Sequence, residues 1–140
     1  MKSGRIINDD VTIKDIFENT KTIAILGLSP KPKRDSNRVA RYLQRQGYRI
    51  LPVRPGQDEI LGEKAYASLD DIKTPVDIVN VFRNPKYIMP HAYEAIQHKP
   101  KVFWMQLDIK HQEAAEVLAT AGIDVVMDKC IKVEHARLCK

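Results

Sequence analysis

The stretch Ile23-Ala24-Ile25-Leu26-Gly27-Leu28-Ser29-Pro30-Lys31-Pro32-Lys33-Arg34-Asp35-Ser36 decides the fold. Its opening apolar run, Ile23 to Gly27, has the length and composition of a buried strand. A stiff, basic loop with no further glycine follows, and a helix start is expected near Asp35-Ser36. Strand, loop and helix in this order form the unit with which doubly wound α/β proteins hold a dinucleotide diphosphate. The G-x-G-x-x-G pattern is missing, however. Counted from Gly27, the second glycine position is Ser29 and the third is Pro32. The chain thus offers an anion site without the usual NAD fingerprint.

Outward from this unit, strand and helix patterns alternate. Strand one covers 22–27, and a helix over 36–46 turns Val39, Ala40 and Leu43 inward before Gly47 ends it. Tyr48 to Val53 form strand two, closed by Arg54-Pro55-Gly56; residues 57–75 are irregular, with a helical turn around Ser68 to Ile72. Val76 to Phe82 form strand three, after which Asn84-Pro85 open a helix to about Gln97. Strand four is 101–105, a helix spans about 110–121, and strand five is 123–127. The tail from Asp128 to Lys140 is mixed. Before strand one, Ile13, Ile16 and Phe17 recur at helical spacing with Thr12 as N-cap, preceded by a flexible N-terminus over 1–11.

Short apolar strands separated by helices indicate βαβ units and a parallel sheet covered on both faces. The expected architecture is α/β: one Rossmann-like domain over 1–140, a doubly wound sheet of five parallel strands in the order 3-2-1-4-5 with flanking helices. Ligands would then bind outside the carboxyl ends of strands one and four, where the order reverses.

No apolar stretch approaches the roughly 20 residues that cross a bilayer. The N-terminus carries no secretory h-region. Cys130 and Cys139 are too few for a disulfide scaffold and lack metal-ligand spacing. A cytoplasmic location is therefore expected, with no membrane partner. The net charge of +5 suits an anionic ligand and is also ordinary for a small protein. Arg38, Arg41 and Arg45 share one helix side, but no aromatic residues interleave with them; this reads as a solvated face, not a nucleic-acid surface.

The topology gathers sequence-distant groups at the carboxyl edge: Gly27, Leu28, Ser29 and Pro30 after strand one, Val53, Arg54 and Pro55 after strand two, Phe82, Arg83 and Asn84 after strand three, Gln106 after strand four, and Asp128, Lys129 and Cys130 after strand five. An anion at the first loop would meet the free N–H groups and dipole of the helix, the hydroxyls of Ser29 and Ser36, and the charges of Lys31, Lys33, Arg34 and Arg38. Arg54 bears on ligand choice. NAD-binding domains place an acidic residue at the end of strand two, whereas arginine favours a phosphate on the ribose, as in NADP or coenzyme A. Arg83 is suited either to a ligand across the crevice or to a neighbouring carboxylate. Gln106 is suited to an amide such as one in a pantetheine arm, or to a capping role.

No nucleophile signature joins His91, His98, His111 or His135 to a serine or cysteine. His91 and His98 are expected on a solvated helix face. Nothing matches a Walker A loop or a zinc site.

The chain resembles the stand-alone CoA-binding domain proteins, a group similar to the N-terminal domain of succinyl-CoA synthetase α subunits. The resemblance covers about residues 12–138. It is carried by Ile25 to Pro32, Ser36 to Leu43, Gly47 to Val53, Ile60-Leu61-Gly62 with Ala65-Tyr66 and Ser68-Leu69, Val76 to Val79 with Val81-Phe82-Arg83, Trp104 to Leu107, and Asp128 to His135. Each stretch alone is weak; all of them in order are specific. The resemblance implies CoA binding through the first loop and the ends of strands two to four. It also implies binding without synthesis, because the synthetase's catalytic phosphohistidine lies in a separate ligase domain. There are two departures: Arg54 stands where the family usually has asparagine, and Asp108 where it has glycine.

The leading expectation is a non-catalytic binding or regulatory module for coenzyme A or an acyl-CoA. The alternatives are an NADP-binding enzyme or NAD(P) redox sensor, and an interaction subunit of a ligase-like complex.

Overall fold

The apolar runs pair side by side as parallel strands: β1 (Thr22–Leu26), β2 (Arg49–Val53), β5 (Ile78–Val81), β6 (Val102–Met105) and β7 (Asp124–Val126). The computed structural model describes residues 3–139; Met1 and Lys2 of the expected N-terminal lead, and Lys140 of the expected tail, lie outside the described residues. Helices α1 (Asp10–Glu18), α2 (Asp35–Arg45), α3 (Ile88–His98), α4 (Gln112–Thr120) and α5 (Ile131–Leu138) cover the sheet. None is long and apolar enough to cross a membrane.

Period-two alternation explains why the strands read as unbroken apolar runs. Ile23, Ile25, Ile50, Ile78 and Trp104 point into one core, with Val39 and Leu43 of α2, Ile13 and Phe17 of α1, and Ile131 of α5. Ala24, Leu26, Leu51, Val79, Val81 and Phe103 point into the other, with Ile88 and Ala92 of α3 and Ala114 and Leu118 of α4.

The α/β, Rossmann-like sheet of five parallel strands matches the expectation, but the strand order does not. The sheet runs β2-β1-β5-β6-β7, which in the earlier numbering is 2-1-3-4-5 and not 3-2-1-4-5. The segment between β2 and β5 supplies the reason. It forms a small hairpin, β3 (Glu59–Ile60) and β4 (Glu63–Lys64), turned through Leu61 and Gly62, both at positive φ. Tyr66, just beyond it, occupies the outer side of β2: its N–H donates to the Pro52 carbonyl at 2.9 Å, and its own carbonyl accepts from Arg54 N–H at 2.8 Å. With that side taken, the next strand pairs with β1. The reversal of order therefore lies between β1 and β5, so the crevice opens there and not between strands one and four.

Further findings concern the two ends. Within the lead expected to be flexible, Ile7 N–H donates to the Val125 carbonyl and Val125 N–H to the Arg5 carbonyl, both at 2.8 Å, lengthening the sheet beyond β7. Asp9, not Thr12, caps α1; its carboxylate accepts from Thr12 N–H at 2.9 Å and from the Thr12 hydroxyl at 2.6 Å. The tail expected to be mixed contains α5. Its buried side carries Glu134 and His135 beside Ile131, so polar residues hide the helical period. Arg137 fixes α5 to α1 through a bidentate pair with Asp10 at 2.9 and 2.7 Å.

Candidate functional site

At the end of β1 the chain must turn sharply past the end of β5. Gly27 does this with φ +83°, and a Cβ there would lie 2.5 Å from the Phe82 carbonyl oxygen. Both the dihedral and the close approach require glycine. Its N–H donates to the Val53 carbonyl at 3.0 Å, joining the ends of β1 and β2.

The loop then folds onto the start of α2. Ser29 N–H donates to the Ser36 hydroxyl oxygen at 2.9 Å, Lys31 N–H to the Ser29 hydroxyl oxygen at 3.1 Å, and the Asn37 side-chain amide to the Ser29 carbonyl at 2.9 Å. Both hydroxyl oxygens thus act as acceptors, and each keeps its own hydrogen to donate. Arg34 occupies the N-cap of α2 without a side-chain capping bond, and the N–H groups of Asp35 and Ser36 find no acceptor among the described residues. Four donors therefore converge at a helix N-terminus. Arg41, expected on a solvated face, instead donates to the Pro32 carbonyl at 2.9 Å and holds the loop to the helix.

Three adjoining clefts run along this edge. A polar one of about 540 Å³ is lined by Gly27, Ser29, Pro30, Lys31, Arg34, Asp35, Ser36, Arg54, Gln57 and Phe82. A smaller one of about 360 Å³ has Gly27, Arg54, Pro55, Phe82, Arg83 and Tyr87. A more apolar one of about 520 Å³ has Val39, Phe82, Leu107, Ile109 and Val133, with Asp35, Arg38, Arg83, Asn84, Gln106, Asp108, Cys130 and Lys132. Phe82, the residue after β5, lines all three.

Of the expected residues, Gly27, Ser29, Pro30, Arg34, Ser36, Arg38, Arg54, Phe82, Arg83 and Gln106 meet along this crevice. Leu28 and Val53 do not: their side chains lie in the two cores. Lys33 is exposed and lines none of the clefts. Arg54 has no carboxylate partner among the described residues. Arg83 has none either; its guanidinium stacks on the Tyr87 ring, 4.4 Å from the centroid. Arg38 is paired with Asp35, which cancels the one carboxylate at the helix start.

Gln106 takes the capping role. Its Oε1 accepts from Ile131 N–H at 2.9 Å, capping α5, and from the Asn80 side-chain amide at 3.1 Å. A backbone N–H can only donate, so the atom it meets is the oxygen. The Gln106 Nε2 group has no partner among the described residues, on a residue only 5% exposed. Asp108, beside it, has φ +70°, a conformation that glycine adopts without strain. Its N–H donates to the Asp128 carboxylate at 2.7 Å, and Asp128 is also left-handed, at +58°.

The sequence did not single out Val39, Leu107, Ile109, Lys132 or Val133 as lining residues. Those around α5 depend on a helix whose period is masked. None of the four histidines lines the crevice. His91 and His98 are half-buried, not solvated, and His98 Nε2 lies 3.2 Å from the Ile72 carbonyl. His111 caps α4, its Nδ1 accepting from Ala114 N–H at 3.1 Å. His135 is buried against Phe17, Tyr42 and Tyr48, and burial holds its imidazole below the usual histidine range.

Known proteins fit this geometry. The uncharacterized protein YneT of Bacillus subtilis is 45% identical over 124 residues, which are 89% of this chain and 92% of YneT. A hypothetical protein from Pyrococcus horikoshii OT3 superposes with a TM-score of 0.92 at 38% identity, covering all of both chains. The α subunit of acetate–CoA ligase (ADP-forming) II from Pyrococcus furiosus is 33% identical over 75 residues; these are 53% of this chain and 16% of that subunit. The CoA binding domain model matches residues 21–136, nearly the whole of the sheet and its helices, and the chain belongs to the CoA binding domain family.

Proposed function

We propose that the crevice holds coenzyme A or an acyl-CoA, and that the chain acts as one binding or regulatory domain, not as a catalyst. The observation that carries this reading is the junction at Phe82. A donor-rich cleft at the bare N-terminus of α2, a cationic cleft and an apolar one meet there. Coenzyme A has parts that match the three: a diphosphate, a phosphorylated adenosine and a pantetheine arm. The diphosphate sits against Ser29, Ser36 and the first turn of α2. The adenosine end lies toward Arg54 and Tyr87, where the unpaired guanidinium of Arg54 meets the 3′-phosphate. The arm runs past Phe82 to Gln106. A charge-assisted hydrogen bond contributes roughly 1.5–3 kcal/mol, so two or three suffice for micromolar retention alongside other contacts.

Thermal unfolding tests this directly. Coenzyme A is expected to raise the Tm more than dephospho-CoA, NAD or NADP at equal concentration. Equal shifts with coenzyme A and dephospho-CoA would remove the role given to the 3′-phosphate, and a larger shift with NADP would favour the dinucleotide. Arg54→Ala is expected to weaken coenzyme A by about tenfold while leaving dephospho-CoA nearly unchanged. Native mass spectrometry of freshly purified protein would identify any ligand carried through purification.

A further inference from the structure

We propose that Cys130 is a thiol–disulfide exchange site for coenzyme A seated in the crevice, so that the protein holds the cofactor as a Cys130–CoA mixed disulfide when disulfides of coenzyme A are present. The inference rests on the binding reading above. Cys130 lines the apolar cleft and precedes α5 as its N-cap, with no side-chain capping bond. It is a free cysteine.

The second observation is Gln106, in the same cleft. Its Oε1 accepts from the N–H of Ile131, the residue after Cys130, and Gln106 and Cys130 both line this cleft. Its amide nitrogen is a donor without a partner among the described residues, on a residue 5% exposed. Such a donor is free to meet an acceptor on a ligand in the cleft. The amide carbonyls of a pantetheine arm are acceptors of this kind, and the arm ends a few bonds further on in a thiol. An arm bonded to Gln106 therefore brings its sulfur toward Cys130.

The exchange step balances without another oxidant. The Cys130 thiolate attacks one sulfur of the CoA disulfide, forming the new S–S bond as the old one breaks. The departing coenzyme A leaves as a thiolate and takes up the proton that Cys130 lost. Cys139 is an internal control. It lines none of the three clefts, and burial pushes its thiol up.

The test is intact-mass and peptide analysis under non-reducing conditions, after reduced protein is exposed to CoA disulfide or to oxidised glutathione at equal concentration. One CoA adduct on Cys130 is expected, reversed by dithiothreitol and formed at least about tenfold faster than the glutathione adduct, because the crevice raises the local concentration of the reagent. Arg54→Ala should slow the CoA reaction and leave the glutathione reaction unchanged. Cys130→Ser should form no adduct and keep the thermal shift with reduced coenzyme A. If that shift is present and Cys130 stays unmodified, or reacts no faster than with glutathione disulfide, this inference alone is overturned. If reduced coenzyme A gives no shift in the unmodified protein, the binding reading falls and this inference with it.

Discussion

Gly27 shows how a single residue fixes the entrance to the crevice. Its left-handed φ and the 2.5 Å approach to the Phe82 carbonyl leave no room for a methyl group. Gly27→Ala should therefore lower stability by about 3 kcal/mol, measured by denaturant unfolding. Asp108 presents the opposite case, an L-residue in a conformation that suits glycine, with its side chain exposed. Asp108→Gly should raise stability by about 1 kcal/mol, read as an increase in Tm without ligand; a decrease would show that its carboxylate has a stabilising role. At this scale the sequence is legible where chemistry and backbone coincide. Gly27, Ser29, Ser36 and Arg54 can be placed from strand ends alone. Leu28 and Val53 could not be separated from them, because adjacent residues at a strand end face opposite ways, and register decides which face the core.

Among the elements, β1 depends on a carboxylate outside itself. Asp77 accepts from the N–H groups of Lys21 and Thr22 at 2.8 and 3.1 Å and pairs with Lys101 at 3.4 Å. Burial, the largest single influence, raises its pKa, but these donors together outweigh it and hold the carboxyl below the usual aspartate value. The folded value lies below the unfolded one, so the stabilisation is full above about pH 4 and is lost as the pH falls through the folded value. Asp77→Asn should lower stability by about 2 kcal/mol at neutral pH and flatten this acid limb in a Tm-against-pH series. Element type was legible wherever apolar periodicity was clean, as in all five sheet strands and α2. Strand order was not, because it depends on what the chain between β2 and β5 does with the outer side of β2. That depends on Tyr66 pairing with Pro52 and Arg54, for which the sequence carries no signal. The last helix, α5, was missed because Glu134 and His135 occupy positions where apolar residues would have marked its inner face.

At the scale of the molecule, His135 joins three helices. The Tyr42 hydroxyl lies 2.8 Å from its Nδ1, and the rings of Phe17 and Tyr48 stand edge-on to it. Burial lowers its pKa, so the unfolded chain takes up the proton first as the solution is acidified. Stability should be constant above the unfolded value of about 6.5 and decline below it. His135→Gln should make the Tm flatter between about pH 7 and 5; an unchanged slope would place the acid sensitivity elsewhere.

The two flanks of the sheet have a consequence for how copies of this chain can meet. Residues 5–7 lie along β7, and Tyr66 lies along β2. Of the outward positions of β2, Ile50 and Pro52, the second has no N–H to offer. Each flank presents only a short run of unpaired groups, so strand-to-strand growth into a continuous intermolecular sheet is disfavoured at both ends. Self-association is then favoured through the helical layers or the rim of the crevice, where a bound ligand would be within reach of it.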